Sequence, residues 1–407
     1  MTDSKRFSRP STLLRLLPPL AILLALSVGA TAFSQSSKPT DPTLTVPSET
    51  QADVEAYWTS SQMASAVPAE VDNVPEAPAD PSVGPDGPPA FIDPTQGSGP
   101  DPICTTPTPT PTPTTGATPA ATPTVTFPVR GPAGRHPGIS PKATSVDELQ
   151  PNFQPAGVAP WVYSRYSVFP AGVERAYPYS TVGKIFFTRA DGKNFVCSGS
   201  SITAGNHSVV WTAGHCLFTR GFGWNRNVLF VPARRNGANP FGVWTARQLV
   251  STVGWVVNGL LEYDWGAFTV NRGGIGGAQC LSTTVGGLGM AVNLPRVQHW
   301  HDFGYPAQPP FNGEIPQVCT ATFAGAERPT GGLADPPTNG IGCDQNGGAS
   351  GGPWVVDFFE RAAPGTNRVN SNNSYIHPGL QRIFGPYFTN GTLRVYNVAA
   401  GVVVPGC

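Results

Sequence analysis

The stretch NGGASGGPW, residues 346–354, decides how this chain is read. Five of its nine residues are Gly or Ser. That composition by itself marks a tight turn, because Gly takes positive φ at little steric cost and Ser supports turn hydrogen bonds. It also suits chemistry. Gly351 and Gly352 let backbone and substrate approach closely. The N–H groups of Gly348 and Ser350 can aim at one point if the turn is tight, which is the geometry that holds an oxyanion. A serine hydroxyl is a weak nucleophile. It needs a base within hydrogen-bond reach, and the base needs a third group to fix its tautomer. Whether Ser350 is a nucleophile or a turn residue therefore depends on what the rest of the chain supplies.

The base candidate is His215 in VVWTAGHC, where it follows a β-branched run and a Thr-Ala-Gly turn. Cys216 comes next, and Cys197, in VCSGSSIT, lies nineteen residues earlier. A bridge between them would brace the hairpin that presents His215 and contribute roughly 3 kcal/mol through loop closure. The acid candidate is Asp264 in EYDWGAFTV. It starts a strand, with Trp265 and Phe268 at hand to exclude water from an orienting carboxylate. Five other histidines remain. His299 and His301, in QHWHDF, share one face of a strand near Asp302. With no third ligand evident they read as ordinary strand residues rather than a metal edge. His136 and His207 read as loop residues, and His377 follows NNSY, discussed below. NHS at 206, NNS at 372 and NGT at 390 are glycosylation sequons.

Only 12% of the 407 residues are charged, against ~25% in ordinary globular chains. Proline crowds the first 160 residues, so a globular domain is expected after them. The formal net charge is zero, which offers no basic field for nucleic acid. Lys5, Arg6, Arg9 and Arg15 precede the apolar residues 16–28, and Ala30-Thr31-Ala32 forms an A-x-A site. A signal peptide over 1–32, cleaved after Ala32, is the expected reading. The apolar run is broken by Pro18 and Pro19 and is short for a ~30 Å span, so stable membrane insertion is not expected. Export gives the seven cysteines a meaning, since they should mostly pair and one is left over. Cys319 and Cys343 are expected to bridge near the Ser350 loop. Cys104, Cys280 and Cys407 are expected to give one pair and one free thiol, and a link from Cys104 to Cys280 would tether the pro-region. No C-x-x-C is present, and neither a metal nor a cofactor is expected.

Residues 33–103 read as a pro-region, mostly disordered. A short amphipathic helix is expected near 54–66, with Val54, Tyr57, Trp58 and Met63 on one face. Residues 105–125 alternate Thr and Pro and form an extended spacer of roughly 65 Å, within a linker and loose segment over 104–160. From residue 177 onward, short β-branched and aromatic runs are punctuated by Gly, Asn and Asp. That texture predicts an all-β sandwich or barrel, and no long amphipathic helix is read after residue 160.

TAGHC, the Asp at a strand start and GASGGP, in the order His215, Asp264, Ser350, resemble the trypsin-like (chymotrypsin-fold) serine peptidases. HWHDFGYPA at 299–307 and NNSYIHPGLQRIFGPYF at 372–388 are similar, more narrowly, to the bacterial and fungal branch related to the glutamyl endopeptidases. VEAYWTSSQM resembles the pro-region of such enzymes. The resemblance covers about residues 160–407. It implies two antiparallel six-stranded β-barrels with the site in the cleft between them, the first ending near residue 285. It implies His215 and Asp264 from the first barrel, Ser350 from the second, and an acyl-enzyme on Ser350. Two departures stand out. Ala349 precedes the nucleophile where trypsin has an Asp, so the trypsin-type activation ion pair cannot form. Cleavage of the 33–160 region could still unblock the cleft, and Arg130, Arg135, Arg165 and Arg175 are candidate points. Asp344 lies six residues before Ser350, the offset of trypsin's base-recognising Asp, yet the preceding cysteine is seven before the serine instead of four. Glutamyl endopeptidases use a His on the strand after the nucleophile. Here that stretch matches NNSY, residues 372–375, with no His until His377, so Asp344, Ser374 and Tyr375 are the candidate specificity residues.

GASGG also satisfies the G-x-S-x-G elbow of the α/β-hydrolases, but that fold needs the order Ser, acid, His, and only 57 residues follow Ser350. A non-catalytic binding module on a trypsin-like scaffold is the other alternative. The reading adopted is a secreted, monomeric serine endopeptidase acting on proteins or peptides, with its own pro-region as a partner.

Overall fold

Runs such as VGKIFFT and RNVLFVP have apolar residues on both strand faces, which suits strands covered on both sides. In the computed structural model, which describes residues 38–69, 74, 87–98, 154–157, 159–330 and 336–407, they form the wall of a closed ring. Trp244–Thr252, Arg226–Pro232, Val182–Thr188, Asn194–Ile202, Val209–Thr212 and Gly266–Val270 pair antiparallel in that order. The last pairs back onto Trp244–Thr252 and closes six strands. Ile185, Phe187, Val210, Phe230, Trp244 and Phe268 fill the inside. Phe186, Val196, Leu229 and Val231 face the other way and would be bare if nothing covered them.

Residues 38–69 supply the cover. The single helix expected near 54–66 is two helices, Gln51–Tyr57 and Ser60–Ser65, each opened by a threonine capping box, at Thr50 and Thr59. The second cap is why the helix breaks. Thr59 accepts from Gln62 N–H, so Trp58 leaves the first helix and turns inward. Val54, Trp58 and Met63 are buried on Phe186, Val196, Leu229 and Val231. Tyr57 is half-buried beside them. Pro42–Thr45 adds a strand to Trp244–Thr252, and Val67–Pro68 pairs parallel to Asn194–Ile202. Ala90–Ile92 pairs with Gly289–Val292. These stretches of the region expected to be mostly disordered therefore carry regular structure.

The second half is a branched sheet. Its main path runs Tyr375–Ile376, Arg382–Gly385, Thr338–Gly342, Gln317–Glu327, His299–Gly304, Pro353–Val356, Arg368–Asn372, Gly289–Val292 and Ala90–Ile92. Tyr163–Ser167 pairs with Gln317–Glu327, and Gly289–Val292 joins Arg368–Asn372 in parallel. Trp300 and Trp354 pack at 5.4 Å inside it. Cys319–Cys343 bridges it, and Cys197–Cys216 bridges the first barrel. Cys280 pairs with Cys407, so the tether through Cys104, which lies outside the described residues, is not formed by Cys280.

Trp211, Trp265, Val318, Val355 and Phe388 pack between the two halves, together with Val395 and Ala399 of a helix over Asn390–Ala400. The sequence reading missed this helix. Asn, Gly and three β-branched residues weaken its propensity. A Thr389 capping box and the buried i, i+4 pair Val395–Ala399 hold it. Asn206 fastens its end, donating to Ala399 O and Val402 O at 2.9 and 3.0 Å. Asn206 and Asn372 are buried, so those two sequons are closed to modification in the folded chain. Among the described residues no helix is long and apolar enough to cross a membrane. The expected signal peptide over 1–32, the Thr-Pro tract, Arg130, Arg135 and His136 lie outside the described residues.

Candidate active site

His215 leaves the strand Val209–Thr212 through Ala213 into a short 3-10 turn, Gly214–Cys216, anchored by the disulfide. Asp264 caps a second 3-10 turn, Leu261–Tyr263, just before the strand Gly266–Val270. Because those two strands are neighbours, the turns meet at one end of the barrel. Asp264 is fully buried, with Trp265 and Phe268 also buried on its own chain. Its Oδ1 accepts the His215 backbone N–H at 2.8 Å. Its Oδ2 lies 2.8 Å from His215 Nδ1 and accepts from Ser374 Oγ at 2.5 Å. A carboxylate can only accept, so Nδ1 carries the proton and Nε2 presents its lone pair. Trp255 stands edge-on to the imidazole at 6.1 Å.

Ser350 comes from the second half. Gly348 has φ +97° and Gly351 φ +81°. A side chain at Gly348 would meet Tyr305 O at 2.7 Å, and one at Gly351 would meet Thr212 Oγ1 at 2.0 Å. The loop can press against the His215 strand only because these positions lack Cβ. Ala349 N–H bonds to Asn346 O, Gly351 N–H to Asn373 O and Gly352 N–H to Ala349 O. Among the described residues no bond engages the N–H groups of Gly348 and Ser350.

Sequence reasoning missed the residue that locks the loop in place, Ser198. Its N–H donates to Ser350 O at 2.7 Å, and its hydroxyl to Gly348 O at 2.8 Å. Tyr305 N–H donates back to that hydroxyl, and Thr212 Oγ1 donates to Ser198 O. Serine next to Cys197 carries no distinctive pattern, so nothing in the sequence marked it. The reading also missed Ala69. Ser350 Oγ donates to Ala69 O at 3.3 Å, and no hydrogen bond joins it to His215, whose Nε2 is buried without a partner among the described residues.

A cavity of about 320 Å³ opens beside Ser350, lined by Gln308, Asn346, Asn373, Ser374, Tyr375 and Ile376 among others. Asp344 does not line it. Its carboxylate turns away to the Arg165 guanidinium at 2.9 and 3.0 Å, which corrects its assignment as a specificity residue. Arg165 itself sits within a paired strand, a poor place for a maturation cut. Ser374 holds the Asp264 carboxylate, and Tyr375 stacks on Phe384 at 5.1 Å with its hydroxyl on Glu327. His377 is buried against the same Glu327, at 2.8 Å.

His301 stacks on Phe358 at 4.4 Å, on the face shared with His299. Asp302 points to the opposite face, fully buried, with Gln345 Nε2 donating to its Oδ2 at 3.1 Å. The three therefore do not converge. Two groups of potential metal donors do lie close together, Cys197/His215/Cys216 and Asp302/Cys319/Cys343, but their sulfurs are in disulfides and offer no thiolate.

Burial pushes the Asp302 carboxyl well above the usual carboxylate range, so the folded chain keeps a proton that the unfolded chain releases near pH 3.8. Stability from this group therefore falls as pH rises above that value. Asp302→Asn mimics the neutral acid and should gain stability relative to the parent progressively as pH rises above about 3.8, read by urea unfolding. A difference that stays flat with pH would mean that Asp302 is ionised in the fold. His301 slopes the other way, since burial holds it down at about 4, below the ordinary 6.5. Comparing variant with parent cancels it.

Solved proteins with this architecture share sequence with the chain as well. The protease Anisep from Arthrobacter nicotinovorans is 39% identical over a match covering 55% of this chain and 96% of that one, with a TM-score of 0.47. The thermostable serine protease AL20 from an extremophilic microorganism is 36% identical, covering 55% of this chain and 98% of that one, with a TM-score of 0.48. Identity at that level over nearly the full length of the two relatives decides the question. This chain belongs to the trypsin-like serine peptidases. No family model matches it. An extracellular metalloprotease of Bacillus subtilis (strain 168) is 31% identical over 75 residues, 18% of this chain and 23% of the relative. The match thus spans less than a quarter of that relative's length.

Proposed function

We propose that this peptidase is a secreted, monomeric serine endopeptidase that cleaves proteins or peptides through an acyl-enzyme on Ser350. One observation carries the reading. Asp264 is buried and accepts both His215 N–H groups, so the imidazole is held with a basic Nε2 on the side of the cleft. Ser350 Oγ attacks the scissile carbonyl carbon as its proton passes to Nε2. The carbonyl oxygen, now negative, takes the N–H groups of Gly348 and Ser350, a pair whose geometry suits charge that develops only in the transition state. His215 then gives the proton to the leaving amine, and water repeats the sequence to free Ser350. Three disulfides suit an oxidising compartment, in keeping with a signal peptide over 1–32 cut after Ala32.

The test is labelling with a fluorophosphonate, which reports an activated serine without knowledge of substrate. It should be run on the secreted chain before and after nicking by added trypsin, with adducts mapped by peptide mass. A single adduct on Ser350 that disappears in His215→Ala is the expected result. An adduct on another serine, or one on Ser350 that survives His215→Ala, would reject the nucleophile–base pair.

A further inference from the structure

We propose that Val67–Ala69 and Val74 form a built-in inhibitor that occupies two places in the substrate cleft and disarms Ser350, an inference that rests on Ser350 being the nucleophile. Val67 and Pro68 pair with Phe195 and Val196, the residues just before Cys197, and Ala69 N–H donates to Val196 O at 2.9 Å. That pairing fixes the Ala69 carbonyl, whose oxygen takes the Ser350 hydroxyl at 3.3 Å. The chain touches the cleft again at Val74. Its side chain is buried among Trp255, Leu261, Tyr375 and Phe384, and its carbonyl oxygen lies 3.0 Å from His377 Nδ1. Trp255 is also the ring edge-on to His215, and Tyr375 lines the cavity beside Ser350. The two contacts therefore flank the nucleophile.

The orientation of the Ala69 carbonyl explains why the segment obstructs rather than reacts. Attack needs the carbonyl carbon facing Oγ and its oxygen on the Gly348 and Ser350 amides. Here the oxygen itself faces Oγ as a hydrogen-bond acceptor. The hydroxyl proton is drawn to Ala69 and away from His215 Nε2, which is left buried and without a partner among the described residues. The base and the nucleophile are both in place and uncoupled.

The anchorage upstream sets what release requires. Trp58 is buried on the outer barrel face with its Nε1 donating to Asn227 O at 2.6 Å. Pro42–Thr45 extends the same barrel as a strand. These contacts do not pass through the linker, so a single cut in the linker leaves the inhibitor bound. Activation requires it to leave its strand and its pocket.

Val74→Asp in the full chain tests this by placing a carboxylate in the aromatic pocket, in a residue outside the proposed catalytic machinery. Trp58→Ala, which weakens the anchor, is the second variant. If the parent opens about 1% of the time, either variant should speed fluorophosphonate labelling of Ser350 by up to ~100-fold. Casein hydrolysis should rise in parallel, and hydrogen exchange at Ala69 and Val74 should quicken. Labelling of Ser350 that is equally fast in parent and variants would overturn the inhibitor while leaving the nucleophile intact. Fast exchange at Ala69 and Val74 with no adduct on Ser350 would overturn the nucleophile, and this inference with it.

Discussion

Ser350→Ala is expected to lower kcat for peptide hydrolysis by on the order of 10⁶, measured in the Val74→Asp background so that the cleft is open. Without Oγ there is no acyl-enzyme. The Gly348 and Ser350 amides remain, because they are backbone groups held by Ser198 and Gly348's turn, so a residual rate above that in water should persist. The fold should not notice. Among the described residues the Ser350 hydroxyl makes one hydrogen bond, to Ala69, and the residue is 9% exposed, so thermal unfolding should shift by only a few degrees. In the parent background that lost bond belongs to the inhibitor, and hydrogen exchange at Ala69 should quicken slightly. A loss of activity under about 100-fold would mean that another group carries the hydrolysis, and the site would have to be sought elsewhere in the cleft.

How much of this was legible in the sequence depends on how local each feature is. His215 was, because a β-branched run, a turn and a cysteine with a partner nineteen residues away are all local marks. The close approach at Gly351 was, since glycines beside Ser350 let another chain come near, and a side chain at Gly351 would meet Thr212 Oγ1 at 2.0 Å. Asp344 shows where counting fails. Its distance from Ser350 in sequence says nothing about which way its side chain turns, and it turns to Arg165 on a strand some 180 residues away, a separation of 179. The structure of residues 38–69 was hidden for another reason. Pro42–Thr45 and Val67–Pro68 are short and proline-bearing, and they lack strand alternation. They hold as edge pairings because a preformed barrel offers them a template. Phe186 and Leu229 did carry a clue. Apolar residues on the outer face of a barrel strand call for a cover, and VEAYWTSSQM was an apolar island in a proline-rich stretch with none of its own.

Asp264→Asn is the sharper test of the base, with an expected loss in kcat of ~10⁴ by analogy with the equivalent change in other serine peptidases. The geometry says why. Three donors converge on the Asp264 carboxylate: the His215 backbone N–H on Oδ1, and Nδ1–H with the Ser374 hydroxyl on Oδ2. An amide has one acceptor oxygen and one NH₂. The backbone N–H cannot move without unwinding a turn that a disulfide anchors, so the amide oxygen takes the Oδ1 place. The NH₂ then faces Nδ1, which must become an acceptor. The imidazole proton shifts to Nε2, the lone pair that should receive the Ser350 proton is gone, and the base is present in the wrong tautomer. The Ser374 hydroxyl can rotate to accept from the NH₂, so the fold should survive. Fluorophosphonate labelling of Ser350 should slow along with kcat, because both need the same proton transfer, while KM should change little. If Asp264→Asn lost less than tenfold in kcat, Asp264 would be a structural carboxylate braced between His215 and Ser374, and the orienting acid would have to be another group.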